Sequence, residues 1–343
     1  MNGFRISLLF MLAFCIALIP ISAQGDGEPL QKPTAADILS STDVIFGAGG
    51  IMPEGVAFDA RRDRFLVSSL ALGTIFSVTP DGRYTTFADI GVFDSTVGLY
   101  VDPREDRLIV ANSDARGFGG YPSDDLIMGV AVFDLETGDQ QFYADLSGLS
   151  GLDVGFLNGV TVDADGNIYV TDSFAPVIYQ VTPDAEASVF LEDDEFVANL
   201  FGLNGIDYVE DADGGYLLVA FAGGGAIYRI PVAAPEDFAE VEIQGSVDID
   251  GLAIDADHNM VAVGYVSGVP GQQVMLLTSD DDWHSAEIIE VIPTGGVATS
   301  VTIRNGVPYY LNAYLNNPTR ESYEIVPIAF EFTLVDLLEN DGG

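Results

Sequence analysis

The chain has 343 residues, 53 acidic against 12 basic, for a formal net charge of −41, with 38 Gly, 16 Pro, 21 Phe and 14 Tyr among 48% hydrophobic residues. Nucleic acid and anionic membrane surfaces both reward a positive face, so this balance excludes them as partners and favours cations. Glycine and proline punctuating short Val-, Ile-, Phe- and Tyr-rich runs predict many short strands joined by tight turns, with almost no helix.

In chain order, residues 1–23 come first. Arg5 precedes an apolar run from Ile6 to Ile21 that ends in small residues around Ser22 and Ala23. This is the pattern of an export leader, cleaved near Ala23, and the run is shorter than the ~20 residues a membrane span needs. Cys15 lies inside it and is the only cysteine, so the mature chain has no disulfide. The leader holds Arg5 and no acid, so its loss takes the −41 of the whole chain one unit further, to −42. The mature protein is expected to be secreted or periplasmic and free of the membrane. Residues 24–42 read as a linker.

Residues 43–338 carry a repeat. The pattern x-Gly-apolar-x-apolar-Asp occurs as EGVAFD, VGLYVD, NGVTVD, NGIDYV and DGLAID, and loosely as TSVTIR, starting at Glu54, Val97, Asn158, Asn204, Asp250 and Thr299. Each is followed by an Asp/Gly/Asn-rich turn and a second apolar strand, as in DADGNIYVTDS, and then by two further strands. Four strands every forty to fifty residues define a propeller blade, so the expected fold is all-β: one six-bladed β-propeller with four antiparallel strands per blade. The wider second spacing is explained by a polar, Gly-rich insertion from Ser113 to Asp125. A strand beginning DVIF at Asp43 is positioned to close the ring on the last blade and so remove two exposed edges. Residues 339–343 form a tail.

If the repeated position opens the innermost strand, all six such residues meet around the axis on one face, here the top. Asn112, Asp172 and Asn312, at the ends of second strands, lie on the same face. Glu54, Asn158, Asn204 and Asp250 then bring carboxylate and amide oxygens together, the ligand type of a hard cation, and Ca²⁺ is the expected cofactor. Zinc and copper prefer nitrogen and sulfur, which two histidines and no mature cysteine scarcely supply. Each residue taken singly is equally a turn former; the equal phase of the set is what points to a metal. Asp172 has two readings, a proton acceptor beside the axis or a loop-capping aspartate. DADGN (163–167) resembles the start of an EF-hand loop but lacks its helices and closing Glu, and equivalent turns recur in other repeats, so it is read as a bottom hairpin turn. The run SDDDW (279–283) is read as a solvated outer loop. Phe156, Phe174, Phe196, Phe201 and Tyr314 surround the expected mouth, some as its wall and some as packing between blades.

This ordered set, with PEG in the first blade, NG in the third and fourth and DG in the fifth, resembles the senescence-marker-protein/gluconolactonase family and its diisopropyl-fluorophosphatase-like and paraoxonase-like relatives. The resemblance implies that Glu54, Asn158, Asn204 and Asp250 ligate a catalytic Ca²⁺ and that Asp250 serves as nucleophile or general base. It departs in its histidines: His258 and His284 are not placed for catalysis. The expected function is an exported, monomeric, Ca²⁺-dependent hydrolase of small-molecule esters, lactones or phosphotriesters, with Asp250 and Asp172 as catalytic candidates. The alternative is a non-catalytic binding propeller with a structural calcium.

Overall fold

The computed structural model describes residues 32–89, 95–114, 127–152, 155–317, 319–331 and 333. The leader, most of the Ser113–Asp125 insertion and the tail lie outside the described residues.

Six antiparallel sheets form the blades of one propeller. Blade 1 is Val56–Asp59, Arg64–Val67, Thr74–Val78 and Tyr84–Asp89. Blade 2 is Ser95–Asp102, Arg107–Ser113, Met128–Asp134 and Gln140–Asp145. Blade 3 is Leu157–Val162, Ile168–Asp172, Val177–Val181 and Ala187–Glu192. Blade 4 is Leu203–Val209, Tyr216–Phe221, Ala226–Pro231 and Ala239–Glu240. Blade 5 is Val247–Ile254, Met260–Val266, Gln273–Thr278 and Ser285–Pro293. A short parallel strand, Glu242–Ile243, joins the outside of this fifth sheet. Blade 6 takes Ala298–Arg304, Val307–Asn312 and Tyr323–Pro327 from the end of the chain and Val44–Phe46 from its beginning.

The ring therefore closes as the DVIF segment implies, with Val44 paired to Ile325 and Phe46 to Tyr323. Phe46 is 1% exposed and its ring lies 5.9 Å from that of Tyr323, inside the apolar layer shared by blades 6 and 1. Phe46→Ala is expected to destabilise the protein by about 3–5 kcal/mol, the usual cost of emptying a buried aromatic site. A thermal melt should move down by roughly 10 °C; an unchanged midpoint would show that the closing strand contributes little.

The core lies between successive blades. Val97, Ile109 and Val130 of blade 2, for example, pack on Val160, Val170 and Val177 of blade 3. The stretch expected as a linker contains one helix, Ala35–Ser40, opened by a reciprocal capping box between Thr34 and Asp37 and anchored by buried Ile38.

The repeated glycine has a packing reason. A Cβ on Gly159 would come within 2.6 Å of the Asn204 carbonyl oxygen, on Gly205 within 2.7 Å of that of Asp250, and on Gly251 within 2.6 Å of that of Thr299. On Gly55 and Gly98 it would press still closer on the carbonyls of Val97 and Asn158. Each glycine thus lets its inner strand approach the axial residue of the next blade. In blade 6 the position is Ser300, whose hydroxyl accepts from the Val56 amide at 3.3 Å, while neighbouring Thr299 donates to the Glu54 carbonyl at 2.6 Å and completes the ring.

The final Asp of the repeat organises the bottom turns. Asp163 accepts from the amides of Asp165 and Asn167, both at 2.9 Å, which makes DADGN a hairpin turn. In blades 1 and 2 arginines take this role: Arg62 and Arg64 on Asp59, and Arg104 and Arg107 on Asp102. Nine of the ten described basic residues lie on or against bottom turns. The exception, Arg320, is held on the top face by Glu324 at 2.9 Å and lies 3.4 Å over the Tyr314 ring.

Candidate active site

In blades 2 to 6 the strand register slips at the axial residue. In blade 3, Leu157 pairs with Asp172 and Val160 with Val170, so Asn158 and Gly159 together face one residue. Blades 2, 4 and 5 show the same slip between Thr96 and Leu99, Leu203 and Ile206, and Ile249 and Leu252. Such a β-bulge re-aims the side chain it carries. The Gly159 amide at the bulge is satisfied by the Thr171 hydroxyl at 2.9 Å, and the Gly55 amide of blade 1 by Ser68 at 2.7 Å.

Glu54, Asn158, Asn204 and Asp250 line one top-face cavity of about 1000 Å³. Glu54, Asn158 and Asn204 are buried, and Asp250 is partly so. The Asn158 amide nitrogen donates to the Ser173 hydroxyl at 3.1 Å, which fixes its rotation. Burial raises the Glu54 carboxyl well above the usual range, and the charge of Asp250 raises it further. Burial likewise pushes Asp250 up to about 7, partly offset by a hydrogen bond from the Asn204 amide, with Asp248 adding repulsion. Among the described residues no Lys, Arg or His lines this cavity.

This donor set fits a hard divalent cation. Two carboxylates and two amides offer oxygen only, and their raised proton affinities measure the cost of holding two partly desolvated acids together without a positive partner. Among the described residues no group of three or more His, Cys, Asp or Glu side chains is arranged to hold a metal, so a cation in this cavity would need the two amide oxygens as well as the carboxylates.

Asp172 does not reach the cavity lining. Its carboxylate accepts from the amides of Phe156 at 2.8 Å, Phe174 at 2.9 Å and Ala175 at 3.1 Å, and so holds the loop that carries the aromatic wall. Burial raises its proton affinity, and these bonds counter the rise. Asn112 and Asn312, the other strand-end residues, donate to the hydroxyls of Tyr143 and Tyr314 at 3.1 and 2.7 Å. Val97 and Thr299 complete the axial ring with one apolar and one hydroxyl side chain.

Phe156 and Phe201 belong to the cavity wall, and Phe174 bridges them with ring centroids 5.5 Å from each. Phe196 instead packs between blades, 5.1 Å from Tyr228 and 5.0 Å from Phe238. Tyr314 hydrogen bonds Glu324 at 2.7 Å beneath Arg320, and its neighbour Leu315 takes the place in the wall. Both histidines lie in bottom turns; the His258 carbonyl accepts from the indole of buried Trp283 at 3.2 Å, so SDDDW is a solvated acidic turn ending in a core anchor. Asp248, Gln272 and Tyr265 line the cavity without a repeat signature. The one signal for Asp248 is its position two residues before Asp250, on the same side of a strand.

No protein-family model matches the sequence, and no curated protein matches it. Solved structures do share the fold. The chain superposes on the major allergen Mala s 1 of Malassezia sympodialis with a TM-score of 0.67 at 19% identity, over 84% of this chain and 96% of the allergen. A gluconolactonase of Xanthomonas campestris gives 0.57 at 17%, over 92% and 100%. Regucalcin of Agrobacterium tumefaciens, a calcium-binding protein, gives 0.55 at 17%, over 82% and 94%. The structural neighbours of this propeller thus include gluconolactonase- and regucalcin-like propellers, and at these identities the likeness is one of fold.

Proposed function

We propose that the protein is a Ca²⁺-dependent hydrolase of lactones or related esters, phosphotriesters included, that acts outside the cytoplasm as a monomer. The observation that carries this reading is the convergence of Glu54, Asn158, Asn204 and Asp250 in one cavity whose described lining includes no basic side chain. The gluconolactonase and regucalcin among the structural neighbours support it, and the leader expected over residues 1–23 supports export. Glu54, Asn158, Asn204 and Asp250 would hold the ion, which supplies Lewis-acid polarisation of a carbonyl or phosphoryl oxygen when bound.

The chain's own residues supply the rest. Asp250 lines the cavity beside Asn204 and is the carboxylate placed to serve as general base; the value of about 7 belongs to the ion-free site, and a bound cation would lower it and keep Asp250 ionised at neutral pH. It takes a proton from water as the water oxygen attacks the carbonyl carbon, and returns it to the ring oxygen as the C–O bond breaks. Asn204 orients Asp250 by donating to it, and Asp172 keeps the Phe156–Phe174 wall in place. Direct attack by Asp250 on the carbonyl is the variant of this scheme; oxygen from ¹⁸O-water appearing in the carboxylate after a single turnover would identify it.

Calorimetric titration of the chelated protein is the test. One Ca²⁺ should bind, and Glu54→Gln should weaken it at least tenfold, since one of two carboxylates is lost. Absence of binding, or binding indifferent to residue 54, would sink the metal reading and leave a recognition propeller.

A further inference from the structure

Resting on that hydrolase reading, we infer that the substrate is neutral and carries an aliphatic chain, which lies along an apolar channel from the carboxylates to the rim at Leu200. Three observations meet here.

The first is the wall. Above the axial residues the cavity is bounded by Leu70, Phe156, Leu200, Phe201, Tyr265 and Leu315. Leu200 is 79% exposed, an unusual state for a leucine beside a cavity. Moreover, of the twelve described large hydrophobic residues that are exposed, nine lie on top-face connections or strand ends, among them Leu72, Phe174, Val197 and Tyr265. A solvated surface alone gives no reason for that asymmetry.

The second is the scarcity of uncommitted polar groups. Apart from the four axial residues, the described polar side chains in the lining are Ser95, Asn199, Asp248 and Gln272, with the hydroxyl of Tyr265. Ser95 donates to the Leu70 carbonyl at 2.7 Å. Gln272 is bound through both its amide atoms to the backbone of Ala298, each at 2.6 Å. A polyhydroxylated ring would give up its water here for few replacement hydrogen bonds, which is unfavourable.

The third is charge. Glu54, Asp248 and Asp250 line the cavity, and among the described residues no basic side chain does, which disfavours a substrate bearing a carboxylate or phosphate monoester. A neutral acyl or alkyl chain satisfies all three conditions, with its reacting carbonyl at the carboxylate end.

The test uses the calcium-loaded protein and two series: γ-lactones with unbranched side chains of two to eight carbons, and non-hydrolysable γ-lactams with the same chains. Both kcat/KM for the lactones and affinity for the lactams should rise about three- to fourfold per methylene over the first few carbons, with glucono-δ-lactone and a carboxylated lactone far behind. Leu200→Ser should flatten the chain-length slope in both series, and Leu200→Met should restore it. Leu200 is so exposed that the fold should tolerate either change, which a thermal melt verifies. Flat slopes, or better turnover of the polyhydroxylated lactone, would overturn the inference. So would adsorption to neutral phosphatidylcholine vesicles with no chain-length slope, because the rim would then serve a lipid surface. Chain-dependent lactam binding without turnover of any lactone would uphold the channel and refute the hydrolase.

Discussion

Asp250→Asn is expected to lower kcat on any lactone or phosphotriester the protein turns over by about 10²- to 10⁴-fold, the range a positioned proton acceptor contributes. The amide keeps the shape of the side chain and its place beside Asn204 but also removes one of the two carboxylates that would hold the ion, so kcat is compared at saturating Ca²⁺, where the loss is that of the proton acceptor. The same change should alter stability in the opposite direction. In the calcium-free protein Asp250 is raised to about 7 by burial, far above the ~3.9 of an unfolded chain. The folded state therefore holds the proton more tightly between these values. Stability is full below about pH 4 and declines as pH rises through about 7, by roughly 1–3 kcal/mol once water in the open cavity screens the charge. Asp250→Asn removes that decline and also relieves the charge that raises Glu54. Chelated wild type should melt lower at pH 8 than at pH 5, and the variant should narrow the gap. A variant that keeps full kcat would remove Asp250 from the chemistry.

Gly98→Ala is the second large effect, expected to destabilise the protein by about 3 kcal/mol or more. The added methyl would press on the Asn158 carbonyl oxygen, with that carbonyl carbon 3.1 Å away and Gly159 Cα 3.3 Å away. These are backbone atoms of the neighbouring inner strand, so neither can rotate aside. The axial residue of blade 2 is Val97, so no candidate ligand is altered directly and the reading is one of packing. Gly47→Ala is the control: the nearest atom to its added methyl is the Glu321 carbonyl oxygen at 3.8 Å, an ordinary contact. Urea unfolding of the pair should separate them clearly; equal stabilities would show that the inner ring spreads more easily than its spacing implies.

Much of this was legible in the sequence because one physical demand recurs around the ring, met by glycine in five blades and by the closing aspartate in four. A strand that must approach its neighbour at the axis needs glycine, the residue before it opens the cavity, and the aspartate four positions after that glycine turns the chain at the bottom. These three requirements fixed the phase of the repeat, and the phase placed Glu54, Asn158, Asn204 and Asp250 together. The bulges themselves left no mark, since the extra residue is visible only against a partner strand. Leu200, Tyr265, Gln272 and Leu315 were hidden for a related reason: they come from connections and strand ends of different blades, and no local pattern records that they meet. Phe196 and Tyr314 were ambiguous because an aromatic in a top connection has two places to go, into the wall or between the blades. The helix at Ala35–Ser40 was readable from Thr34 and Asp37, a capping pair at the expected spacing, within a stretch otherwise poor in pattern.

Nine of the ten described bases gather at the bottom turns, among a larger number of acids. There they are engaged in ion pairs that hold turn carboxylates, as Arg62 and Arg64 hold Asp59, while the described lining of the cavity leaves Glu54, Asp248 and Asp250 without a basic partner. A cation entering the cavity would therefore displace no resident side-chain charge, and salt would weaken only the approach, within a Debye length of about 8 Å at physiological ionic strength. Room for positive charge is thus built by where the arginines are kept busy, on turns that never touch the cavity.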